Sequence, residues 1–320
     1  METNHDVIII GGGPAGLAAA TTFARARRDV LVLDTGEPRN APAHGVHSFL
    51  SRDGMAPREL LAIARGELLG FGGRFRLEGA QGARAVEGGF EVTLSGGDVL
   101  TARRLLVTTG LVDELPPIEG LREHWGTSAI HCPYCHGYEV RDKALVVLAT
   151  NPMSAHQALH FTQWSDDVTL VLDGQAAPEA AEAARLAAVG VRVVAGPVRR
   201  LVSEEGRLTG VEVGEADSDA VVVPCEAVVL APRFTARSAV LESLGVEPVD
   251  FLMGETVVGR HVPGDPMGGQ TSVPGVHVAG NVTDPMAQVI HAAGAGVRAA
   301  AMMNMALIVE DADRAVAAAS

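Results

Sequence analysis

Val-Ile-Ile-Ile-Gly-Gly-Gly-Pro-Ala-Gly at residues 7–16 is the stretch that decides the fold of this chain. Its four apolar residues predict a buried strand, and the Ala-rich segment that follows, to about Arg27, predicts a helix. In the G-x-G-x-x-G turn between them, Gly11 allows a tight turn, Gly13 lets the backbone approach a pyrophosphate, and Gly16 lets helix and strand pack closely. This context predicts a dinucleotide site, although a glycine-rich packing turn would share the spacing.

Residues next to this turn supply the other parts of a dinucleotide site. Pro14 and Ala15 open the helix, whose free N–H groups and dipole attract phosphate. A second apolar strand at 30–33 ends in Asp34, at about the position where an acidic side chain binds ribose hydroxyls. The amino-terminal part is therefore predicted to be a βαβ nucleotide-binding unit.

A second motif, Cys-Pro-Tyr-Cys-His at residues 132–136, indicates redox chemistry. The two thiols of Cys132 and Cys135 can close a disulfide and exchange two electrons with a partner. Zinc is the structural alternative, but a structural zinc site needs four ligands and no second cysteine pair is present. The imidazole of His136 can take and return a proton near neutral pH, unless it is only a turn residue. Cys225 lies between apolar runs and is expected to be a buried structural thiol.

Two distant segments give the sequence a specific resemblance. An apolar strand ends in Thr109-Gly110, and another ends in Gly280-Asn281 and is followed by Gln288-Val289. Together with the redox pair, these pieces resemble the low-molecular-weight thioredoxin reductases, flavoproteins with two dinucleotide folds. The resemblance spans essentially the whole chain and implies FAD as cofactor.

The resemblance also implies roles for individual residues. Gln288-Val289 would meet the isoalloxazine, and Asn281 stands where the family has an aspartate that contacts the flavin side chain. Arg39, Asn40 and His44 occupy the loop that wraps the cofactor in the family, although each could equally be a solvated loop residue.

For the redox pair, the resemblance makes Cys132 the thiol that meets the substrate and Cys135 the thiol that faces the flavin. His136 stands at the position of the family's acid/base aspartate. Glu139 and His291 are possible helpers, with a solvated carboxylate and a packed helix histidine as the alternatives.

The second nucleotide turn of the family is altered in this chain. The turn at 149–155 carries Asn151 and Pro152 where the family has small residues that approach a pyrophosphate, and proline has no N–H to donate. Asp173 stands where the family has basic residues for the 2′-phosphate of NADPH. The sequence therefore predicts that NADPH does not feed this protein, while the fold of the region persists.

A Cys-Pro-Tyr-Cys-His-Gly motif with a damaged NADPH site resembles the dithiol oxidases that close the disulfides of gliotoxin, holomycin and romidepsin. This resemblance implies that a small-molecule dithiol reduces the Cys132–Cys135 disulfide, and that FAD passes the electrons to O2 to give H2O2. The alternatives are a thioredoxin-type reductase fed by NADPH or another donor, and a flavin-bearing redox sensor without enzymatic activity.

The expected fold class is α/β with two Rossmann-like domains. The FAD-binding domain is predicted at 1–112 and 230–320, and the domain with the redox pair at 113–229. Short alternating runs at 75–100 predict an antiparallel β-meander in the first domain. The family implies a homodimer.

Composition limits the setting of the protein. Its 39 acidic and 25 basic side chains give a formal net charge of −14, which argues against binding to nucleic acid or an anionic membrane. Met1 to Asp6 contain no basic region, so we expect no signal peptide, and three cysteines with one redox pair fit a cytoplasmic protein. The apolar tail at 292–309 is interrupted by Arg298 and Asn304 and is expected to be a packed helix.

Overall fold

The computed structural model describes residues 5–215 and 220–319. Part of the Met1 to Asp6 stretch used above, residues 1–4, lies outside this range. The first half of the described chain contains β1 (His5–Ile10), α1 (Pro14–Arg25), β2 (Val30–Asp34), α2 (Pro57–Gly70), β3 (Arg74–Leu77), β4 (Ala80–Val86), β5 (Gly89–Leu94), β6 (Val99–Val107), β7 (Leu111–Glu114), α3 (Leu121–His124), β8 (Ala129–Ile130), α4 (Pro133–His136), β9 (Leu145–Leu148) and α5 (Ser154–Phe161). The second half contains β10 (Val168–Val171), α6 (Ala180–Ala188), β11 (Arg192–Val194), β12 (Val198–Glu204), β13 (Arg207–Val213), β14 (Val221–Pro224), β15 (Ala227–Val229), β16 (Arg233–Ala236), α7 (Ala239–Glu242), β17 (Val249–Met253), β18 (Thr256–His261), β19 (Val276–Val278), a 3-10 turn (Gly280–Val282) and α8 (Val289–Ala319).

A seven-stranded sheet forms the centre of the first lobe, in the order β3-β2-β1-β6-β5-β4 with β19 beside β6. The apolar run in β1 is almost fully buried and pairs in parallel with β2 on one side and β6 on the other. A strand buried on both faces needs such a continuous apolar run, which explains the unbroken sequence from Val7 to Ile10. The predicted α/β fold is confirmed.

The long strand β6 joins the antiparallel part of this sheet to its parallel part. Its first half pairs antiparallel with β5, which pairs with β4, so the predicted meander is confirmed for these strands. Its second half pairs in parallel with β1 and β19. The start of the predicted range is wrong, because Phe75 belongs to β3, which pairs in parallel with β2. Phe75 packs against the core beneath α1 and thus belongs to the nucleotide-binding unit.

The second lobe repeats the same plan on a smaller scale. Its parallel sheet has the order β11-β10-β9-β15-β8, and the antiparallel strands β12, β13 and β14 lie beside it. The helices α5 and α6 belong to this lobe, and Phe161 of α5 and Leu186 of α6 are fully buried in its core. The chain enters and leaves this lobe next to β7 and β16, which pair antiparallel. The predicted boundary at 112/113 falls inside β7, and the one at 229/230 directly follows β15.

The predicted carboxy-terminal helix is confirmed and is longer than the apolar run that indicated it. By length and composition α8 could cross a membrane. It packs along α1, however, and Gly296 approaches so closely that a Cβ there would lie 2.0 Å from the carbonyl oxygen of Ala15. Ala299, Ala300 and Met303 continue this buried stripe, as expected for a core helix.

A charged cluster fastens the far half of α8 to the sheet. Arg103 of β6 is 7% exposed and contacts the carboxylates of Asp6 at 2.9 Å and Asp311 at 2.6 Å. Arg28 donates to the same Asp311 carboxylate at 2.5 Å and to the Asn304 amide oxygen at 2.7 Å. A buried guanidinium is tolerated only when its charge is paired, so Arg103 makes the position of α8 dependent on these carboxylates.

We predict that Arg103→Met lowers the free energy of unfolding by about 2 kcal/mol, because Asp6 and Asp311 lose one of the two guanidinium groups that they share and keep only Arg28. This is less than the roughly 3–5 kcal/mol for a fully buried pair, since both carboxylates are partly exposed. Urea-induced unfolding followed by circular dichroism measures the change. Arg192→Met, which breaks the exposed pair with Asp167, is the control and should cost less than about 1 kcal/mol. Equal effects of the two variants would contradict the anchoring role.

Candidate functional site

The turn between β1 and α1 has the backbone geometry that its glycines predict. Gly11 has a φ of 110°, and a Cβ there would lie 2.4 Å from the carbonyl oxygen of Thr108. A Cβ at Gly16 would lie 1.9 Å from the carbonyl oxygen of Gly11, so this residue serves close packing of helix and strand. A Cβ at Gly13 would meet nothing within 4 Å, which leaves open space at the N-terminus of α1. That space is where a pyrophosphate would approach the backbone.

Asp34 shapes the same turn from the end of β2. Its carboxylate accepts hydrogen bonds from the N–H of Gly12 at 2.5 Å and from the N–H of Gly36 at 2.6 Å. The side chain also borders the cavity above the turn. It is therefore held in place beside the expected ribose position.

One cavity of about 380 Å³ connects the nucleotide turn with the redox pair. Both ends of the cavity consist of residues that the sequence singled out. Those lining it are Gly11, Gly13, Pro14, Ala15, Asp34, Arg39, Asn40, Thr109, Gly110, Cys132, Cys135, His136, Gly280, Asn281, Gln288 and Val289. Gly16 and His44 are not among the lining residues, and both His44 and His291 are exposed.

The side wall of the cavity is held by an ion pair that sequence reasoning missed. Arg39 donates to both carboxylate oxygens of Asp113, at 2.8 and 2.6 Å. Asn281 accepts a further bond from Arg39 at 3.5 Å, and its amide donates to three carbonyl oxygens of the segment that leads to Gln288. Asn281 thus organises the loop before α8. Asp113 had no local sequence signal, because its partner is 74 positions away.

The redox pair lies on α4, a single helical turn. The N–H groups of Cys135 and His136 donate to the carbonyl oxygen of Cys132. The amide of Gln288, directly before α8, donates to the Cys135 sulfur at 3.8 Å. Cys135 is thereby directed to the first lobe, and Cys132 occupies the N-terminal end of the turn.

The two thiols differ in acidity. The pKa of Cys132 is lowered to about 7, mainly because the Cys135 thiol donates a hydrogen bond to its sulfur, with further bonds from the N–H groups of Cys135 and Tyr134. The pKa of Cys135 is raised, because it gives up that proton beside the Cys132 thiolate and is buried. Cys132 is therefore the thiol of the pair that ionises first, near neutral pH. Cys225 is buried as expected, and burial raises its pKa to about 12.

His136 lies beside the pair with both ring nitrogens buried and without a hydrogen-bond partner among the described residues. Burial lowers its pKa, an effect that the nearby Glu139 carboxylate opposes. His131, on the other side of the pair, also borders the cavity, and burial and the Arg39 charge lower its pKa to about 4. Both imidazoles are neutral at pH 7, so each has one nitrogen free to accept a proton.

His47 is a further residue that the sequence did not indicate. Its ring lies between two carboxylates, with Nδ1 3.3 Å from Asp53 and Nε2 3.4 Å from Glu139. Glu139 follows the redox turn, whereas His47 belongs to the loop of the first lobe that borders the cavity. This contact joins the two lobes next to the redox pair. Only the tertiary structure reveals it, because neither neighbourhood has a motif.

The turn after β9, which corresponds to the second nucleotide turn, uses its polar groups internally. The Ser154 hydroxyl accepts from the N–H of Thr150 at 3.1 Å and of Asn151 at 3.3 Å. The Asn151 side chain accepts from the N–H of Met153 at 2.8 Å, and Pro152 has no N–H. Three N–H groups of this turn are thus engaged by local side chains, and Pro152 offers none.

Asp173, at the end of β10, is also engaged in the fold. Its carboxylate accepts from the N–H of Val198 at 2.7 Å, and its φ is 45°. The residue places a negative charge where the resemblance implies cationic residues for a 2′-phosphate. It joins the parallel sheet to the antiparallel strands of this lobe.

Comparisons with known proteins agree with this geometry. Residues 5–296 match the family described as pyridine nucleotide-disulphide oxidoreductase. The chain belongs to this family of oxidoreductases. The two dinucleotide folds with a redox pair, inferred from the sequence, are those of thioredoxin-reductase-like members.

Several individual relatives are similar over much of the chain. The solved structure of HlmI is 43% identical, with a TM-score of 0.89, over 98% of this chain and 96% of that one. The thioredoxin reductase sirT of Leptosphaeria maculans is 30% identical over 93% of both chains. The thioredoxin reductase tcpT of Claviceps purpurea is 38% identical over 54% of this chain and 58% of its own length. This chain thus spans little more than half of that relative.

The residues present fit a bound FAD. A dinucleotide would find open space for its pyrophosphate at Gly13 and a fixed carboxylate, that of Asp34, beside its ribose. The cavity then continues to Cys135, where the flavin end would meet the redox pair. No group of three histidine, cysteine or acidic side chains within residues 5–215 and 220–319 is arranged to hold a metal ion.

We predict that Gly13→Ala weakens FAD binding by about tenfold or more without unfolding the protein. An alanine is compatible with the extended backbone of Gly13 and meets no atom, but its methyl group occupies the pyrophosphate space. Titration of the apoprotein with FAD measures the affinity. Gly66→Ala in α2, which also meets no neighbour, is the matched control and should keep wild-type affinity. Unchanged affinity in Gly13→Ala would show that the cofactor does not lie here.

We also predict that iodoacetamide alkylates the reduced protein at Cys132, with a half-maximal rate near pH 7. A lowered pKa keeps the thiolate present above about pH 7, and reactivity is lost as pH falls through that value. Mass spectrometry locates the adduct. Cys225 should remain unmodified in the native protein, since it is buried. Preferential modification of Cys135 would reverse the assignment of the two thiols.

Proposed function

We propose that this protein is an FAD-dependent dithiol oxidase. It forms an intramolecular disulfide in a small-molecule dithiol and uses O2 as the final electron acceptor, without NADPH. This activity corresponds to the resemblance with the disulfide-forming oxidases of natural-product biosynthesis.

The observation that carries the proposal is the difference between the two nucleotide turns in open space and in free N–H groups. The first has open space at Gly13 and leads directly to the redox pair. At the second, Ser154 and Asn151 engage the local N–H groups, and Asp173 adds a negative charge. Binding NADPH there would require breaking these hydrogen bonds without cationic compensation, which disfavours it. Electrons must then enter through the cysteines.

The chemistry at the cysteines is a pair of exchange steps. One substrate thiolate attacks the Cys132 sulfur of the Cys132–Cys135 disulfide, and Cys135 leaves as a thiolate. The second substrate thiolate attacks the substrate sulfur of the mixed disulfide, and Cys132 leaves as a thiolate. The substrate has lost two electrons and two protons, and the pair has gained the two electrons. Cys135 would then pass the electron pair to bound FAD as the Cys132–Cys135 disulfide forms again. The cofactor would supply the route to O2, and the two protons lost by the substrate would complete H2O2.

His136 is the residue placed to handle protons during these steps. It is neutral, and neither nitrogen has a hydrogen-bond partner within residues 5–215 and 220–319, so it can accept a proton from an incoming substrate thiol. An aspartate at this position would be anionic at neutral pH. A neutral imidazole adds no negative charge next to two thiolates, which favours holding the pair in its reduced form.

The relatives support the thiol–disulfide chemistry and leave a second function to be tested. Several are named thioredoxin reductases, a function in which electrons run in the opposite direction, from a donor to a protein disulfide. A reductase of this kind shares the cysteines and the FAD site. Only the second nucleotide turn distinguishes the two.

The deciding experiment is anaerobic reduction of the purified yellow protein, followed by its visible flavin absorbance. We expect a small dithiol such as dithiothreitol to bleach the flavin and NADPH to leave it oxidised. Admission of air should then restore the colour and release H2O2 in proportion. Rapid bleaching by stoichiometric NADPH would establish the reductase instead.

Substitution of either cysteine separates the two exchange steps. We predict that Cys132→Ser and Cys135→Ser each reduce dithiol oxidation by at least about a thousandfold, since neither can form the internal disulfide. Cys225→Ser is the control and should oxidise dithiols at the wild-type rate. Wild-type rates in the first two variants would show that the thiols react with flavin directly, without the pair.

A further inference from the structure

The redox turn lies next to an exposed group of aromatic side chains that the proposed chemistry does not use. The chain has two tyrosines, and both fall in this segment, at Tyr134 and Tyr138. They are 59% and 65% exposed. Exposed aromatic side chains grouped next to a reactive centre mark a binding surface more often than chance placement.

Three of these rings form a connected unit, here named the aromatic patch, made of Tyr134, His160 and Trp164. Tyr134 meets the other two edge to face, with ring centroids 5.4 and 5.7 Å away. Its hydroxyl is 3.1 Å from Nε2 of His160, within hydrogen-bond distance. The ring of Trp164 packs against the backbone of Gly137, where a Cβ would lie 2.7 Å from it. The ring of Tyr138 is covered instead by the Arg141 guanidinium, 3.9 Å from its centroid.

The patch is adjacent to the sulfur that the substrate must reach. Tyr134 follows Cys132 by two residues in the same helical turn, so the ring and the thiol belong to one short backbone segment. In the mixed disulfide, the substrate sulfur lies about 2 Å from the Cys132 sulfur. The body of the substrate must then extend over the residues next to Cys132.

From this placement we infer that the aromatic patch binds the ring portion of the dithiol substrate, which is a flat, uncharged ring system. This inference rests on the proposed oxidase function. The patch offers ring faces and edges, a hydroxyl and an imidazole, with no carboxylate or ammonium among its members. Such a surface favours a planar ring with neutral hydrogen-bonding groups over a charged or flexible dithiol.

The size of the patch favours a small molecule over a protein. Three partly exposed side chains offer a few hundred Å² at most, whereas a stable protein interface buries about 800 Å² on each partner.

Two uncharged dithiols with the same spacing between their thiols, one with an aromatic ring and one without, provide the test. ortho-Xylene-α,α′-dithiol and dithiothreitol separate their thiols by the same number of carbons and close disulfide rings of the same size. Only the first carries an aromatic ring. Initial rates of disulfide formation by the holoprotein in air give kcat and KM for each compound.

We expect Tyr134→Leu to raise KM for the xylene dithiol by about three- to tenfold, the effect of losing one aromatic pair. Its kcat, and both constants for dithiothreitol, should stay within about twofold of wild type. Tyr134→Phe keeps the ring and should restore the wild-type KM. Phe71→Leu, an aromatic residue 48% exposed at the end of α2, is the matched control and should change nothing.

The flavin spectrum of each variant verifies its fold, and His160→Leu tests the same patch if Tyr134→Leu does not fold. An unchanged KM for the xylene dithiol, or equal changes for both dithiols, would overturn the inference while the oxidase stands. An effect of Tyr134→Leu confined to a reduced thioredoxin would also overturn it, in favour of a protein partner. A wild-type holoprotein that oxidises neither compound would instead refute the proposed function itself.

Discussion

The close approach of α1 to its neighbours is the constraint on which the rest of the structure depends. Gly16 lets this helix touch the backbone of Gly11, and Gly296 of α8 lets a second helix touch Ala15 from the other side. Neither contact leaves room for a Cβ. Because the N-terminus of α1 is fixed in this way, the open space at Gly13 lies in line with the cavity that reaches the redox pair. The Arg103 cluster then holds the far half of α8 against the same sheet.

The two lobes show how one βαβ plan can keep its fold while the turn after the central strand is built differently. In the first lobe, the turn after the central strand leaves space next to free helix N–H groups. In the second lobe, Ser154 and Asn151 complete the same kind of turn from within. The second turn satisfies its backbone with its own side chains, so the lobe stays folded without a nucleotide. This lobe also carries Cys132 and Cys135.

The redox pair acts at the boundary between the lobes, and contacts from both sides position it. Gln288 of the first lobe donates to Cys135, and His47 of the first lobe contacts Glu139 just beyond the redox turn. The outer side of the turn carries the aromatic patch. The pair thus has one thiol that contacts the first lobe and a second thiol whose pKa is lowered, while the pKa of the first is raised. The homodimer and the cytoplasmic location remain predictions.

The sequence alone determined the parts of this protein that depend on local backbone chemistry. Neighbouring residues alone predicted the strand–turn–helix of residues 7–16, the redox pair, the altered second turn and the burial of Cys225. This is possible because glycine, proline and apolar periodicity act over a few positions. The tertiary structure decided what depends on residues far apart in the chain. No local sequence pattern predicted the ion pair between Arg39 and Asp113. The same is true of the position of His47 between two carboxylates and of the exposure of His44 outside the cavity. The same holds for the aromatic patch, since His160 and Trp164 reach Tyr134 only after α4 and α5 pack together. A contact between distant positions is a property of the packed chain and leaves no pattern in either segment.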